Sequence, residues 1–203
     1  MAKLILVRHG ETNKNINNRL HASDDPESLN DRGIKQIEET AQKLKSFLPI
    51  KIFTSKENRA IESTKIISNF LQIPFKKIDG MQERNWGVFT GKPWEEVKMV
   101  LDPMTLEERY NYEPSGGESW ETFETRLISA IKKIIENNPE TNIVVVTHGG
   151  AVRALMPFLL GVPKEESFNH YPKNSSLTVF DFNGESFTKV LIDDVNHLRQ
   201  LLP

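Results

Sequence analysis

Leu4-Ile5-Leu6-Val7 runs straight into Arg8-His9-Gly10-Glu11-Thr12, and Ile143-Val144-Val145-Val146 runs in the same way into Thr147-His148-Gly149-Gly150. Each is a short apolar run that ends in polar residues and glycine. That is the pattern of a strand buried on both faces that opens into a loop. Around these two, helical periodicity alternates with further apolar runs. Residues 29–31 open a helical pattern in which Ile34, Ile37, Ala41, Leu44, Phe47 and Leu48 recur, closed by Pro49. Residues 50–54 read as a second strand, 58–70 as a helix with Ile61, Ile66 and Phe70 inward, and 75–78 as a short third strand. A helix over 118–136 gathers Trp120, Phe123, Leu127, Ile131 and Ile134 on one face, and an apolar helix over 150–160 stops at Gly161 and Pro163. Residues 177–182 and 187–192, joined around Asn183-Gly184, read as a terminal hairpin. The alternation predicts an α/β three-layer sandwich, with a mostly parallel central sheet flanked by helices.

The chain has 203 residues, 26 of them basic and 28 acidic. A single domain over 1–203 is expected, and that is long enough to bury a full core. Residues 1–100 carry 17 basic and 13 acidic side chains, and the remainder 9 and 15. Neither half has the basic footprint of a nucleic-acid-binding protein. There is no cysteine, which excludes a disulfide framework, a thiolate metal site and a cysteine nucleophile. The first apolar run is interrupted by Arg8 too soon for a signal h-region or a membrane span, so a soluble cytoplasmic protein is expected, with no membrane partner. Residues 84–117 break the rhythm with Trp86, Pro93, Trp94, Pro103 and Pro114, and read as an insertion that forms a lid over one end of the sheet.

In a parallel sheet, ligands bind beyond the carboxyl ends of the strands. His9 and His148 both fall there, each followed by a glycine that lets backbone approach a ligand, and helix N-termini at that edge attract anions. One histidine after a strand is ordinarily a structural residue. Two at matching strand ends, one beside an arginine, point to chemistry. A metal pair is the rival reading, but no H-x-H or H-E-x-x-H pattern accompanies them, so no metal is expected.

Residues 4–12 resemble the signature of the histidine phosphatase superfamily, the phosphoglycerate-mutase-like proteins. The resemblance continues through Ser55-x-x-x-Arg59-Ala60, Gln82-Glu83-x-x-x-Gly87, Gly116-Gly117-Glu118-Ser119 and Thr147-His148-Gly149, and includes the tail around Asn174-Ser175-Ser176. It implies a phosphoglycerate-mutase-like fold. It also implies that His9 is a nucleophile forming a phosphohistidine, with Arg8, Arg59 and His148 on the phosphoryl oxygens. Asn15 and the Gly149 N–H would add further phosphate contacts, with Glu83 as general acid. Elementary chemistry agrees with these roles. Neutral imidazole is a competent nucleophile, guanidinium matches phosphate oxygens in pairs, and a leaving alkoxide needs a proton. No cofactor is needed on this reading, because arginines and imidazoles supply the charge.

Glu11 competes with Glu83, but a Glu after a strand is commonly a capping residue, and the family pattern favours Glu83. His21 is expected at the substrate mouth, and Arg84 could meet a second acidic group on the substrate. Trp86 and Trp94 could stack on a ligand, Trp120 belongs to the core, and His170 and His197 read as structural or surface residues. Superfamily members divide into phosphatases and mutases. Residues 84–117 carry four basic side chains against six acidic ones, which argues against the cationic cage a bisphosphate needs. The expected activity is therefore hydrolysis of a small phosphorylated metabolite, with a sugar phosphate among the candidates. A 2,3-bisphosphoglycerate-dependent mutase is the alternative, and a non-catalytic phosphate-binding module a third reading. Nothing in the sequence indicates the oligomeric state.

Overall fold

The structure, a computed structural model, describes residues 1–21, 25–199 and 201. Its centre is one six-stranded sheet made of β1 (Ala2–Arg8), β2 (Lys51–Thr54), β3 (Phe75–Lys77), β4 (Ile143–Thr147), β5 (Leu177–Phe182) and β6 (Phe187–Asp194). The spatial order is β3-β2-β4-β1-β5-β6. The first four strands are parallel, and β5 and β6 extend the sheet as an antiparallel pair. The two apolar runs of the sequence are thus adjacent central strands. Arg8 lies opposite Thr147, so His9 and His148 leave neighbouring strand ends together.

The strands are buried on both faces because successive side chains alternate sides. Leu4 and Leu6 of β1, with Ile143 and Val145 of β4, pack beneath α6 (Trp120–Glu136) and α7 (Gly149–Leu160). Ile5 and Val7, with Val144 and Val146, pack beneath α2 (Asp31–Leu44) and α3 (Asn58–Leu71). The result is the expected three-layer α/β sandwich. Caps set the helix starts: the Asn30 side chain accepts from Gly33 N, and the Ser119 side chain from Thr122 N. The short α1 (Asn13–Ile16) opens with a reciprocal capping box between Thr12 and Asn15.

Some details of the periodicity misled. Ile34 is 38% exposed and Phe70 49% exposed, although both sit at helical spacing. Leu48, also read as part of that stripe, lies beyond the helix in a left-handed conformation and points to solvent. The buried face of α3 is instead Arg59, Ala60, Ser63, Thr64 and Ile67. This face meets the polar loop that follows β1, where Ser63 Oγ accepts from Gly10 N at 3.0 Å. Polar and small residues fill the part of the face that meets this loop, and Ile67, a turn further on, joins the apolar core.

Residues 84–117 form their own small unit. It contains α4 (Trp94–Leu101) and α5 (Leu106–Asn111), with Trp86, Phe89, Val97 and Leu101 buried together. Backbone bonds tie it to the segment after β1: Leu20 N donates to Lys92 O, Gly91 N to Leu20 O, and Trp94 N to Asn18 O. Among the described residues, no helix is long and apolar enough to cross a membrane.

The loop after β1 lies so close to α2 that a Cβ on Gly33 would stand 2.2 Å from Glu11 O. That neighbour is backbone and cannot simply rotate away. Gly33→Ala should therefore destabilise the protein by about 1–3 kcal/mol. It should also weaken phosphate binding, since the displaced loop carries His9. Denaturant unfolding and phosphate titration of the variant check both.

Candidate active site

His9 is the first residue past β1 and is almost fully buried. Its Nδ1 lies 2.7 Å from Gly10 O. A carbonyl only accepts, so Nδ1 carries the proton and Nε2 keeps a bare lone pair. Arg59 Nε donates to that nitrogen at 3.3 Å. Burial, then Arg59, His148, Arg8 and His21, hold the His9 ring well below the usual imidazole range, so it is neutral at working pH.

Around this nitrogen stand cations whose donors have no protein partner. Arg8 Nη1 donates to Pro172 O at 2.7 Å, yet its Nε is buried and unpaired. Arg59 is 1% exposed, and both its Nη1 and Nη2 are buried without a hydrogen bond. His148, fully buried with its ring centre 5.2 Å from that of His9, has an unpaired Nδ1. Burial lowers the Arg8 pKa to about 10, which leaves it charged at neutral pH. Buried unpaired donors are costly and rare, so this many in one place mark a site shaped for an oxyanion.

Gly149 opens α7 beside Arg8, where the helix N-terminus favours negative charge. Asn15 lines the same cavity. Its Oδ1 accepts from Thr12 N and Asn174 Nδ2, so any contact with a ligand falls to its amide nitrogen.

Glu83 approaches from the other side. Its Oε2 accepts from Gly150 N at 2.9 Å and its Oε1 from Arg84 N at 2.8 Å. Its charge acts on both Arg8 and Arg59. Glu11 is held differently: its carboxylate accepts from Asn30 Nδ2 at 3.1 Å and lies 3.7 Å from Arg32, at the start of α2. Both carboxylates line the cavity and act on Arg8, and Glu83 acts on Arg59 as well.

His21 stands edge-on to His9 at 6.0 Å and bonds Thr12 Oγ1 through Nε2 at 2.9 Å. Burial and Arg59 lower its pKa to about 3, so it is a neutral part of the wall. Arg84 stacks on Trp86 and donates to Glu118 O and Tyr112 O. It pins the base of residues 84–117, and those two nitrogens are already engaged. Trp86 and Trp94 pack edge-to-face with each other and line the cavity, and Trp120 is buried in the core beneath α6. His197 bonds Thr40 Oγ1, a structural role, and His170 lies 3.9 Å from Asp193. The cavity over the site measures about 650 Å³. Among the described residues, no group of three or more His, Asp and Glu side chains is gathered to hold a metal ion.

Two residues escaped the sequence reading. Glu57, two positions before Arg59, binds His148. Arg126 donates to Gly80 O, Gln82 O, Glu83 O and the Glu118 carboxylate, and so clamps the Glu83 loop. Glu57 lay inside a quoted motif and could have been noticed. Arg126 on α6 carries no local signal.

A Cβ on Gly150 would stand 2.2 Å from Glu83 Oε1, the movable end of a side chain. Gly150→Ala should therefore leave the fold intact but displace the carboxyl, lowering kcat by about 10²-fold on an alkyl phosphate. Steady-state kinetics with circular dichroism check this. The lowered histidine pKa values also set a stability dependence. Between pH 7 and 5.5 the unfolded chain protonates His9 and His21 while the folded chain does not, so stability falls with pH. The loss should be about 1 kcal/mol per ring, and His21→Gln should remove one share of it in urea unfolding.

The histidine phosphatase superfamily (branch 1) model matches residues 4–195. An uncharacterised phosphatase, PhoE, of Bacillus subtilis is 32% identical over 162 residues, 79% of each chain. A metal-independent phosphoserine phosphatase of Arabidopsis thaliana is 27% identical over 99% of this chain and 85% of its own. The solved structure of an Entamoeba histolytica phosphoserine phosphatase in complex with 3-phosphoglyceric acid superposes with a TM-score of 0.85, at 25% identity over 98% of this chain and all of that one. The chain belongs to branch 1 of the histidine phosphatase superfamily, and it is an enzyme of the phosphoric monoester hydrolase class.

Proposed function

We propose that the chain, as one domain over 1–203, hydrolyses a small phosphorylated metabolite through a phosphohistidine on His9. One observation carries this reading: an unprotonated His9 Nε2, approached by Arg59 Nε, faced by the unpaired donors Arg8 Nε and Arg59 Nη1 and Nη2, with the unpartnered His148 Nδ1 beside them. These donors, with Asn15 and the Gly149 N–H, bind the phosphoryl oxygens. The His9 Nε2 lone pair attacks phosphorus, the N–P bond forms and the P–O bond to the alcohol breaks. The leaving oxygen takes its proton from the Glu83 carboxyl. Water then attacks the phosphohistidine and gives a proton to Glu83, and inorganic phosphate departs from a regenerated His9. The arginines hold their charge throughout and stabilise the transferring group.

The substrate class follows from what surrounds this centre. Arg84 and Arg153 line the cavity, but each already donates two bonds to backbone carbonyls. That favours a monophosphate, such as a sugar phosphate or phosphorylated hydroxy acid, over a bisphosphate. Return of the phosphoryl group to substrate, the mutase reaction, is disfavoured for the same reason. Residues 84–117 act as the lid that shapes the entrance.

Phosphorus NMR on a panel of sugar phosphates, phosphoserine, 3-phosphoglycerate and an aryl phosphate tests the reading. Release of free phosphate without 2-phosphoglycerate is expected. Quenched reactions should yield an acid-labile, base-stable adduct that disappears in His9→Ala. Glu83→Gln should lower kcat about 10²-fold on alkyl esters and far less on a nitrophenyl ester, whose leaving group needs no proton. Equal losses on both esters would remove Glu83 from the acid role. Bisphosphate-dependent formation of 2-phosphoglycerate would make the chain a mutase.

A further inference from the structure

Glu57 has no part in the scheme above, yet it is 2% exposed and touches two of its members. Its Oε2 accepts from Ser55 Oγ and lies 2.8 Å from His148 Nε2. Its Oε1 accepts the backbone N–H of Glu83 at 2.9 Å, with Arg59 Nη2 at 3.8 Å. Burial alone would raise the Glu57 pKa, but His148, Arg59 and Ser55 together bring it down to about 2. Both Glu57 oxygens accept hydrogen bonds, from Ser55 Oγ and from Glu83 N, which is the pattern of a carboxylate.

The proton positions follow from that charge. A carboxylate only accepts, so Ser55 and His148 must both donate to it. Ser55 spends its single proton on Glu57, so its oxygen, 2.9 Å from His148 Nε2, is there an acceptor as well. His148 thus carries its proton on Nε2, which leaves the unpaired Nδ1 bare in the neutral ring. A bare nitrogen repels a phosphoryl oxygen, and a second proton there would turn repulsion into a charge-assisted bond. The charges that decide this come from several elements. Arg8 and His9 at the end of β1, Arg59 on α3 and His21 after α1 oppose a new positive charge. Glu57, before α3, favours one, and so does the phosphate dianion.

We propose that Glu57 is a positioning residue that keeps His148 a proton donor. When a phosphoryl group enters, His148 takes one proton from solvent at Nδ1 and donates that N–H to a phosphoryl oxygen, with Glu57 as the countercharge behind it. The same carboxylate holds the backbone of Glu83, so one buried anion sets both the oxyanion contact and the leaving-group side. This inference rests on the reading of the cavity as a phosphoryl site.

The test uses the full chain labelled with ¹⁵N-histidine, followed by long-range proton–nitrogen NMR at pH 8 with and without saturating inorganic phosphate. Loss of signals in His148→Asn identifies the His148 ring. In the wild type, phosphate should move Nδ1 from the bare to the protonated position. In Glu57→Gln, which keeps the shape but gives up the charge and one of the two acceptor oxygens, Nδ1 should not gain the second proton. There the Kd for phosphate should rise at least about tenfold, and kcat/KM should fall by about 10²-fold. Wild-type protonation and affinity in Glu57→Gln would overturn the proposal. So would a bare Nδ1 in the wild-type phosphate complex, and that arm needs no variant to fold. A wild type that forms the His9 adduct but leaves Nδ1 bare would sink the role of Glu57 while the phosphohistidine reading stands.

Discussion

The in-register parallel pairing of β1 with β4 is the constraint from which the rest of the site follows. Backbone hydrogen bonds hold Arg8 opposite Thr147, so the next residue on each strand is a histidine, and the two rings have to meet. Because both strands are buried on both faces, a one-residue slip would turn every apolar side chain to the wrong layer. The register is thus held by the whole core, and the distance between the rings inherits that rigidity. Catalytic geometry here is a by-product of hydrophobic packing in the two layers. It does not depend on flexible loops finding each other.

What the rigid strands cannot supply is charge balance, and two shells of polar contacts do so. The inner shell leaves its donors open: Arg59 is almost wholly buried with two guanidinium nitrogens unpaired, a cost borne by the surrounding core. The outer shell closes everything else. Glu57 and Ser55 hold His148, and Glu57 and Arg126 hold the Glu83 loop. The open donors are therefore aimed by groups that have no freedom left. Such preorganisation is what lets electrostatic stabilisation work without rearrangement as the phosphoryl group moves.

Much of this was legible in the sequence because it rests on short-range patterns. The apolar runs of β1 and β4 identify buried strands, and the residues after them identify the edge at which ligands bind. The inward face of α3 was not legible. Ile61, Ile66 and Phe70 look like a core stripe, and Ile66 does pack against the core, yet Phe70 is exposed and the helix turns Arg59, Ser63 and Thr64 inward to serve the loop after β1. Periodicity assumes that the buried side is apolar, and it fails where a helix packs against a functional loop. Arg84 misled for a related reason. A cation beside Glu83 suggests ligand binding, but two of its nitrogens donate to carbonyls at the base of residues 84–117. Arg126 was invisible because the carbonyls it clamps, on Gly80, Gln82 and Glu83, lie more than 40 positions away along the chain.

The separate apolar cluster of Trp86, Phe89, Val97 and Leu101 has a consequence for how such an enzyme diversifies. The wall over the entrance draws much of its cohesion from its own side chains and from backbone bonds to residues 18–20, and it joins the core on one face of the sheet chiefly through Tyr110. Substitutions or length changes in that wall can alter which alcohol is admitted while the strand register stays as it is. Selection can then explore new substrates in one segment and leave the inherited chemistry intact, a division of labour that suits a lineage with many leaving groups and one reaction.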